Sequence, residues 1–381
     1  MKKYVTLGEV SKINMGQSPD SSTYNDIGDG IPFYQGNADF GDIHPITAHW
    51  CTSPTKIAND GDILISVRAP IGALNIATEQ CCIGRGLAAI IVDSEIVSKN
   101  YIWYMLKSKV TTLQAMGTGS TFKAINKNVL NDMRFLLPEI EEQDEIALNL
   151  SKIDTVIRIC TVLMNRLDIL VKSRFVEMFG DTEINSNNHP VHKLSAICTV
   201  SSSKRIYQEE QSSSGVPFLR ISNLVELIDN NRFGSELFIP EEKYNELLEH
   251  ELVPKPGDIL VTSRGTLGKC YIIQDNDKFY FQDGMISWLY NINKCITPLY
   301  LTLLFDTRNI KRQIENLQSG STVAYLSIAM LKKLNIVVPP LALQEQFAAF
   351  VEQTDKSKLA VKQVLEKAEM LKKALMQEYF G

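Results

Sequence analysis

Two stretches of this chain repeat each other: GDILISVRAPIG at 61–72 and GDILVTSRGTLG at 257–268 agree at six of twelve positions. They belong to a longer series in the same order. IPF at 31–33 returns as VPF at 216–218, and GST at 119–121 returns at 320–322. From that last landmark the register holds at an offset of 201, so Pro138 maps to Pro339, Gln143 to Gln344, Asp154 to Asp355, and Phe179-Gly180 to Phe380-Gly381. The earlier offsets are 185 and then 196, which places insertions in the front part of the second copy. An ordered repeat of this length limits the fold to one architecture used twice. A chain of 381 residues is also too long for one comfortable core.

Each half ends in a helix. Ile146, Leu150, Ile153, Ile157, Cys160, Met164, Leu167, Val171, Arg174 and Met178 alternate spacings of four and three, a heptad seam. The second copy keeps an eroded seam at Phe347, Val351, Thr354, Lys358, Val361, Leu365, Ala368, Lys372, Leu375 and Tyr379. PEIEEQDE and PPLALQEQ are the start signals. At ~1.5 Å per residue, a helix of about 38 residues runs ~57 Å. That length overhangs one small domain, so the seams are expected to pair with each other, antiparallel if a two-fold relates the halves. Lys358 and Lys372 sit on the seam, which predicts imperfect pairing or cover from another protein.

The fronts read as mixed α/β. Strands are predicted at 63–67, 87–92, 259–263, 269–273 and 286–290, between Gly, Pro and Asn turns. One helix is predicted before each GST loop, at 99–115 and 298–318.

Composition narrows the function classes. Net charge is −5, so any nucleic-acid surface must be local or shared with a partner. No apolar run reaches membrane-span length and no signal-peptide core precedes the fold, so no membrane partner and a cytoplasmic location are expected. Seven scattered cysteines, without zinc spacing, predict neither a disulfide framework nor a structural metal. No Walker A motif is present, since GTLGKC at 265–270 lacks its length and hydroxyl. VPPL at 338–341 lacks the polar acceptor and the ring of an amino-methyltransferase tetrapeptide, and the five histidines fall in separate turns. No catalytic residue is therefore named.

GTGSTFKAINKNVLNDMRFLLPEIEEQDEIALNLSKID at 117–154, with SGSTVAYLSIAMLKKLNIVVPPLALQEQFAAFVEQTD at 319–355, resembles the repeats of type I restriction–modification specificity subunits. The closing FVEMFGD and LMQEYFG, and IPFYQGNADFG with GDILISVRAPIG, extend the resemblance over essentially the whole chain. It implies an α/β (α+β) fold with two repeated target-recognition domains, at 1–137 and 181–338. Two long antiparallel coiled-coil helices, at 138–180 and 339–381, would separate them in a pseudo-two-fold arrangement. It implies a non-catalytic subunit that reads a split double-stranded DNA target and docks two copies of an adenine-N6 methyltransferase subunit. Through these it would reach restriction/translocase subunits. No cofactor is expected on this chain; S-adenosylmethionine, ATP and Mg belong to the partners. Helices of ~57 Å would hold the domains ~17 base pairs apart, at ~3.4 Å per pair. A two-fold repeat also matches the two-fold of the duplex.

Base edges and phosphates are met by Arg, Lys, amides and hydroxyls. In the first front the candidates are Gln17, Ser18, Tyr34, Gln35, Asn37, Arg68, Arg85, Thr118, Ser120, Thr121 and Lys123. In the second they are Lys204, Arg205, Arg220, Asn223, Arg264, Gln282, Ser319, Ser321 and Thr322. Arg68 and Arg264 stand out because both copies keep them at one place. Each is either a DNA contact or an internal tie to a carboxylate such as Asp62 or Asp258. A single-chain DNA methyltransferase or nuclease with a divergent active site is the alternative, and a coiled-coil adaptor a third reading.

Overall fold

Ile63-Leu64-Ile65-Ser66 is buried at all four positions, as a strand must be when both faces are covered. In the computed structural model, which describes residues 3–119, 123–318 and 324–381, this strand sits inside an antiparallel sheet. The strand order is Ser11–Met15, Leu87–Val92, Ile63–Ser66, Leu74–Ile76. The second copy builds the same sheet in the order Thr199–Ser202, Ile286–Tyr290, Ile259–Thr262, Cys270–Ile272. Beside each sheet runs one parallel pairing, Ile31–Tyr34 with Cys81–Ile83 in the first copy and Val216–Leu219 with Tyr280–Phe281 in the second.

Both copies enter the central strand by the same turn. Gly61 and Gly257 take φ of +82° and +88°, a left-handed conformation that glycine alone adopts without strain. The next residue closes the turn: Asp62 accepts the Asn59 amide at 2.8 Å, and Asp258 accepts the Lys255 amide at 2.8 Å. The length difference between the fronts lies where the offset drifts. Helices Ile221–Asn230 and Glu241–Glu249 occupy the second copy between VPF and GDIL.

The helices predicted at 99–115 and 298–318 are each broken in two. Lys99–Ser108 gives way to Val110–Met116 at Lys109 (φ −95°, ψ 4°), and Pro298–Phe305 gives way to Arg308–Gln318 after Asp306. The break lets the second piece turn its own apolar side inward: Leu113 in one copy, Ile310 and Ile314 in the other.

The heptad seams form two unbroken helices, Ile140–Phe179 and Leu341–Phe380. Every seam position named above is buried or half-buried. The chain divides into two compact units, Met1–Met164 with Ala360–Gly381, and Asn165–Leu359. In the first unit the end of the second helix (Leu375, Met376, Tyr379, Phe380) packs with the start of the first (Ile146, Ala147, Leu150). In the second unit the end of the first helix (Val171, Phe175, Phe179) packs with the start of the second (Phe347, Val351). The helices are therefore antiparallel partners in each. The closing Phe-Gly of each copy lands on a buried tyrosine, Phe380 on Tyr101 at 5.1 Å and Phe179 on Tyr300 at 4.7 Å between ring centroids.

The seam lysines find carboxylates on the facing helix. Lys372 Nζ lies 2.6 Å from Asp154 in the first unit, and Lys358 Nζ lies 2.5 Å from Asp168 in the second. Each charge on the seam is met by an opposite charge.

The glutamine of the Pro-x-x-x-x-Gln start signal has a structural cause. Gln143 is 1% exposed; its amide donates to the Pro138 carbonyl (2.9 Å) and its oxygen accepts the Ser98 amide (2.8 Å). Gln344 repeats this with the Pro339 carbonyl (2.8 Å) and the Thr297 amide (2.8 Å), and also donates to Cys295 (3.0 Å). One side chain thus ties each long helix to the loop that precedes its domain's own helix.

Candidate nucleic-acid interface

In the first unit, four loops meet through their backbone amides at one end of the central sheet. The Gln17 amide donates to Ile83 (3.0 Å), the Arg85 amide to Ser18 Oγ (3.3 Å), the Gly86 amide to Gln35 (3.2 Å), and the Val67 amide to Gly86 (2.9 Å). Such contact requires glycine: a Cβ on Gly86 would come within 2.4 Å of the Gln35 carbonyl oxygen. Thr118, Lys123 and Ala124 join this cluster, since Ala69 donates to Lys123 (3.3 Å) and Arg68 and Thr118 both bridge Ala124. Gln17, Ser18, Gln35, Arg68, Arg85, Thr118 and Lys123 are thus brought together, although they span more than a hundred positions of sequence. Arg68, Arg85 and Lys123 are exposed, and among the described residues none of the three has an ion-pair partner.

Tyr34 is a correction. It is 2% exposed and its hydroxyl bonds Thr47 Oγ1 at 2.7 Å, so it belongs to the core. Its neighbours Gln35 and Asn37 instead line a recess of about 670 Å³ with Tyr24, Phe33, His49 and Pro70. Asp39 fixes that loop by accepting the Gln35 (2.7 Å) and Gly36 (3.0 Å) amides.

The second unit repeats the frame. The Ser263 amide donates to Met285 (2.8 Å), the Gln282 amide to Leu219 (2.9 Å), and the Leu326 amide to Ser263 (2.9 Å), while Arg264 bridges Tyr325. Arg264 and Arg220 are exposed, and Gln282 is half-buried. Other candidates are engaged within the fold. Arg205 Nε lies 3.1 Å from Asp283, Lys204 Nζ 3.6 Å from Glu246, and Asn223 caps its helix by accepting the Arg220 amide at 2.9 Å. Ser120, Thr121, Ser319, Ser321 and Thr322 lie outside the described residues.

The open question about the repeated arginines is settled against the tie. Asp62 and Asp258 are spent on their own turns, and Asp258 also accepts Trp288 Nε1 at 2.9 Å. Burial pushes both carboxyls above the ordinary aspartate value, with their turn amides pulling the other way. Neither lies in an ion pair with an arginine among the described residues. Two features escaped the sequence reading. Tyr325 lies beneath the Arg264 guanidinium, 5.2 Å from the ring centroid. Ser66 and Thr262 hydrogen-bond both sides of the arginine loops, at Pro70 and Ala73 in one copy and at Thr266 and Lys269 in the other; a hydroxyl at the same place in both copies was the available signal.

Among the described residues, no group of His, Cys, Asp and Glu could hold a metal ion and no helix is long and apolar enough to cross a membrane.

The family described as the type I restriction modification DNA specificity domain matches residues 2–168 and 188–370. The chain is 47% identical over 148 residues to the putative type I restriction enzyme MjaX specificity subunit of Methanocaldococcus jannaschii, covering 39% of this chain and 35% of that one. It thus spans about a third of that relative's length. It is 25% identical over 319 residues to the MjaIX specificity subunit of the same organism, covering 78% of this chain and 71% of the relative. Among solved structures, the type I restriction–modification S subunit from M. genitalium shares the fold at a TM-score of 0.64 and 16% identity, covering 100% of this chain and 96% of that one. The family read from the repeat is borne out. Two matches to one domain model, one in each half of a duplicated fold, place the chain in the type I restriction modification DNA specificity family.

Proposed function

We propose that the chain reads a split duplex target, one half-site with the loop cluster of each copy, and carries methyltransferase subunits on its long helices. The observation that carries this is the repeated arginine loop. Arg68 and Arg264 project from the same backbone frame, exposed and unpaired by acid among the described residues, as a group meant for an external anion or base edge must be. An overall charge of −5 makes such a local arrangement necessary.

The recognition domains are then 1–137 and 181–338, and the helices between them are spacers. The helices also expose apolar side chains well beyond what their seam needs: Leu148 at 53%, Ile169 at 62% and Met370 at 65%. Exposed apolar stripes of this kind suit a protein partner. That partner is an adenine-N6 methyltransferase subunit, in two copies because the stripe-bearing helix is duplicated. S-adenosylmethionine sits on it, ATP and Mg on restriction/translocase subunits beyond it, and the assembly works in the cytoplasm.

Sequencing modified adenines in cells that express the chain with its methyltransferase tests this. The expected result is one motif of two specified blocks around an unspecified gap, with one adenine modified on each strand. Methyl transfer by the purified chain alone, or a modified motif without a gap, would overturn it.

A further inference from the structure

We infer that Ser66 and Thr262 are positioning residues: their buried hydroxyls hold the two arginine loops in the form that meets DNA. This rests on the DNA-reading role proposed above and goes further into that same site. Both side chains sit at the end of the central strand, 1% and 0% exposed. Ser66 Oγ donates to the Pro70 carbonyl (2.6 Å) and accepts the Ala73 amide (2.9 Å), spanning the loop from entry to exit. Thr262 Oγ1 donates to the Thr266 carbonyl and accepts the Lys269 amide (3.0 Å), the same two bonds at the same two spacings. The strand-end amides close identically, Gly72 onto Ser66 and Gly268 onto Thr262, both at 2.9 Å.

Between these ends the loop is braced from the side, by the Ala69 amide on Lys123 and by the Arg68–Ala124 and Arg264–Tyr325 bridges, while its tip stays exposed. Arg68, Ala69 and Pro70 are exposed, as are Arg264, Gly265 and Thr266. The carbonyl that each hydroxyl grips lies two residues beyond the arginine, at the exposed tip. Without the grip, the exposed turn just beyond the arginine would keep freedom that it loses only on meeting DNA, and binding would weaken by that cost. With it, that part of the ordering precedes the encounter. The two copies differ at the tip, Ala-Pro against Gly-Thr, yet both keep a hydroxyl below it, one serine and one threonine. Loop sequence therefore varies over a constant clasp.

The test uses the full chain with its methyltransferase, and as probe a labelled duplex that the wild type selects from a randomised pool. S66A and T262V are expected to weaken binding of that duplex by about fivefold or more, with S66T and T262S restoring it. In an R68A background, S66A should add no further loss, because the clasp acts through the arginine; a double-mutant cycle reads this directly. T262V keeps the side-chain volume, so it carries the test if S66A does not fold. Binding of the clasp variants at wild-type strength, or an S66A loss that persists in full on R68A, overturns the inference. If instead R68A and R264A themselves bind as wild type, or nothing is selected, the DNA-reading role has failed and not the clasp alone.

Discussion

The Arg264 guanidinium lies over the ring of Tyr325, 5.2 Å from its centroid, whereas Arg68 bridges Ala124, the residue at the equivalent place in the first copy. One arginine is stacked in advance and the other is not. An exposed cation–π contact of this kind contributes about 0.5–1 kcal/mol. Y325A should therefore weaken recognition of one half-site by about two- to fivefold, while Y325F, which keeps the ring, should bind as wild type. Titration of a selected duplex by fluorescence anisotropy measures both.

Asp154 is the centre of a charge cluster in the first unit. It meets Lys372 at 2.6 Å, accepts the Tyr104 hydroxyl at 3.0 Å, and lies 3.8 Å from Lys107. Removing the carboxylate leaves two cations facing each other without an anion. D154A is expected to cost about 1–3 kcal/mol, the scale of hydrogen bonds to charged groups. D168A, whose carboxylate is 57% exposed beside Lys358, should cost about 0.5 kcal/mol or less. Urea melts of the two variants separate these outcomes.

Gln143 and Gln344 are buried amides that no apolar residue can replace. With each net hydrogen bond at about 1 kcal/mol, Q143A and Q344A should each destabilise by about 2–3 kcal/mol. Glutamate should do worse than alanine at neutral pH, since it would bring a buried charge towards the Pro138 or Pro339 carbonyl. Hydrogen exchange should show the loss confined to the unit that holds the altered glutamine.

Asp62 and Asp258 make stability depend on pH in a defined sense. Burial raises both folded-state carboxyls above their unfolded value, so the folded chain holds these protons more tightly. Their contribution is complete below the unfolded value and is lost as pH rises through the raised folded value. Relative to wild type, D62N and D258N should therefore gain stability as pH rises through the raised values. Melting temperatures from pH 4 to 8 would show the two curves converging or crossing in that direction; a parallel pair of curves would contradict it.

Much of the fold is legible in the sequence because it depends on local periodicity. The heptad seam, the turns at Gly61 and Gly257, and the strands Leu87–Val92 and Ile286–Tyr290 are all written in short-range pattern. What stayed hidden depends on pairing across the fold. One helix's seam does not show which carboxylate will face its lysine, so Lys358 and Lys372 read as flaws. Tyr34 looks like a loop aromatic until Thr47 is brought to its hydroxyl. The breaks at Lys109 and Asp306 carry no proline or glycine, and only the core's demand for Leu113 and Ile310 explains them. The candidate site shows the same division. The repeated arginine was visible as text, but its freedom from Asp62 and Asp258 was not.

The central claim is that each arginine loop reads its own half of one target. Selection from a randomised duplex pool, by the methyltransferase complex carrying wild-type chain, R68A or R264A, tests it most directly. The expected result is a two-block motif for the wild type, with R68A relaxing one block and R264A relaxing the other. Equal loss of both blocks in either variant, or an unchanged motif in both, would contradict it.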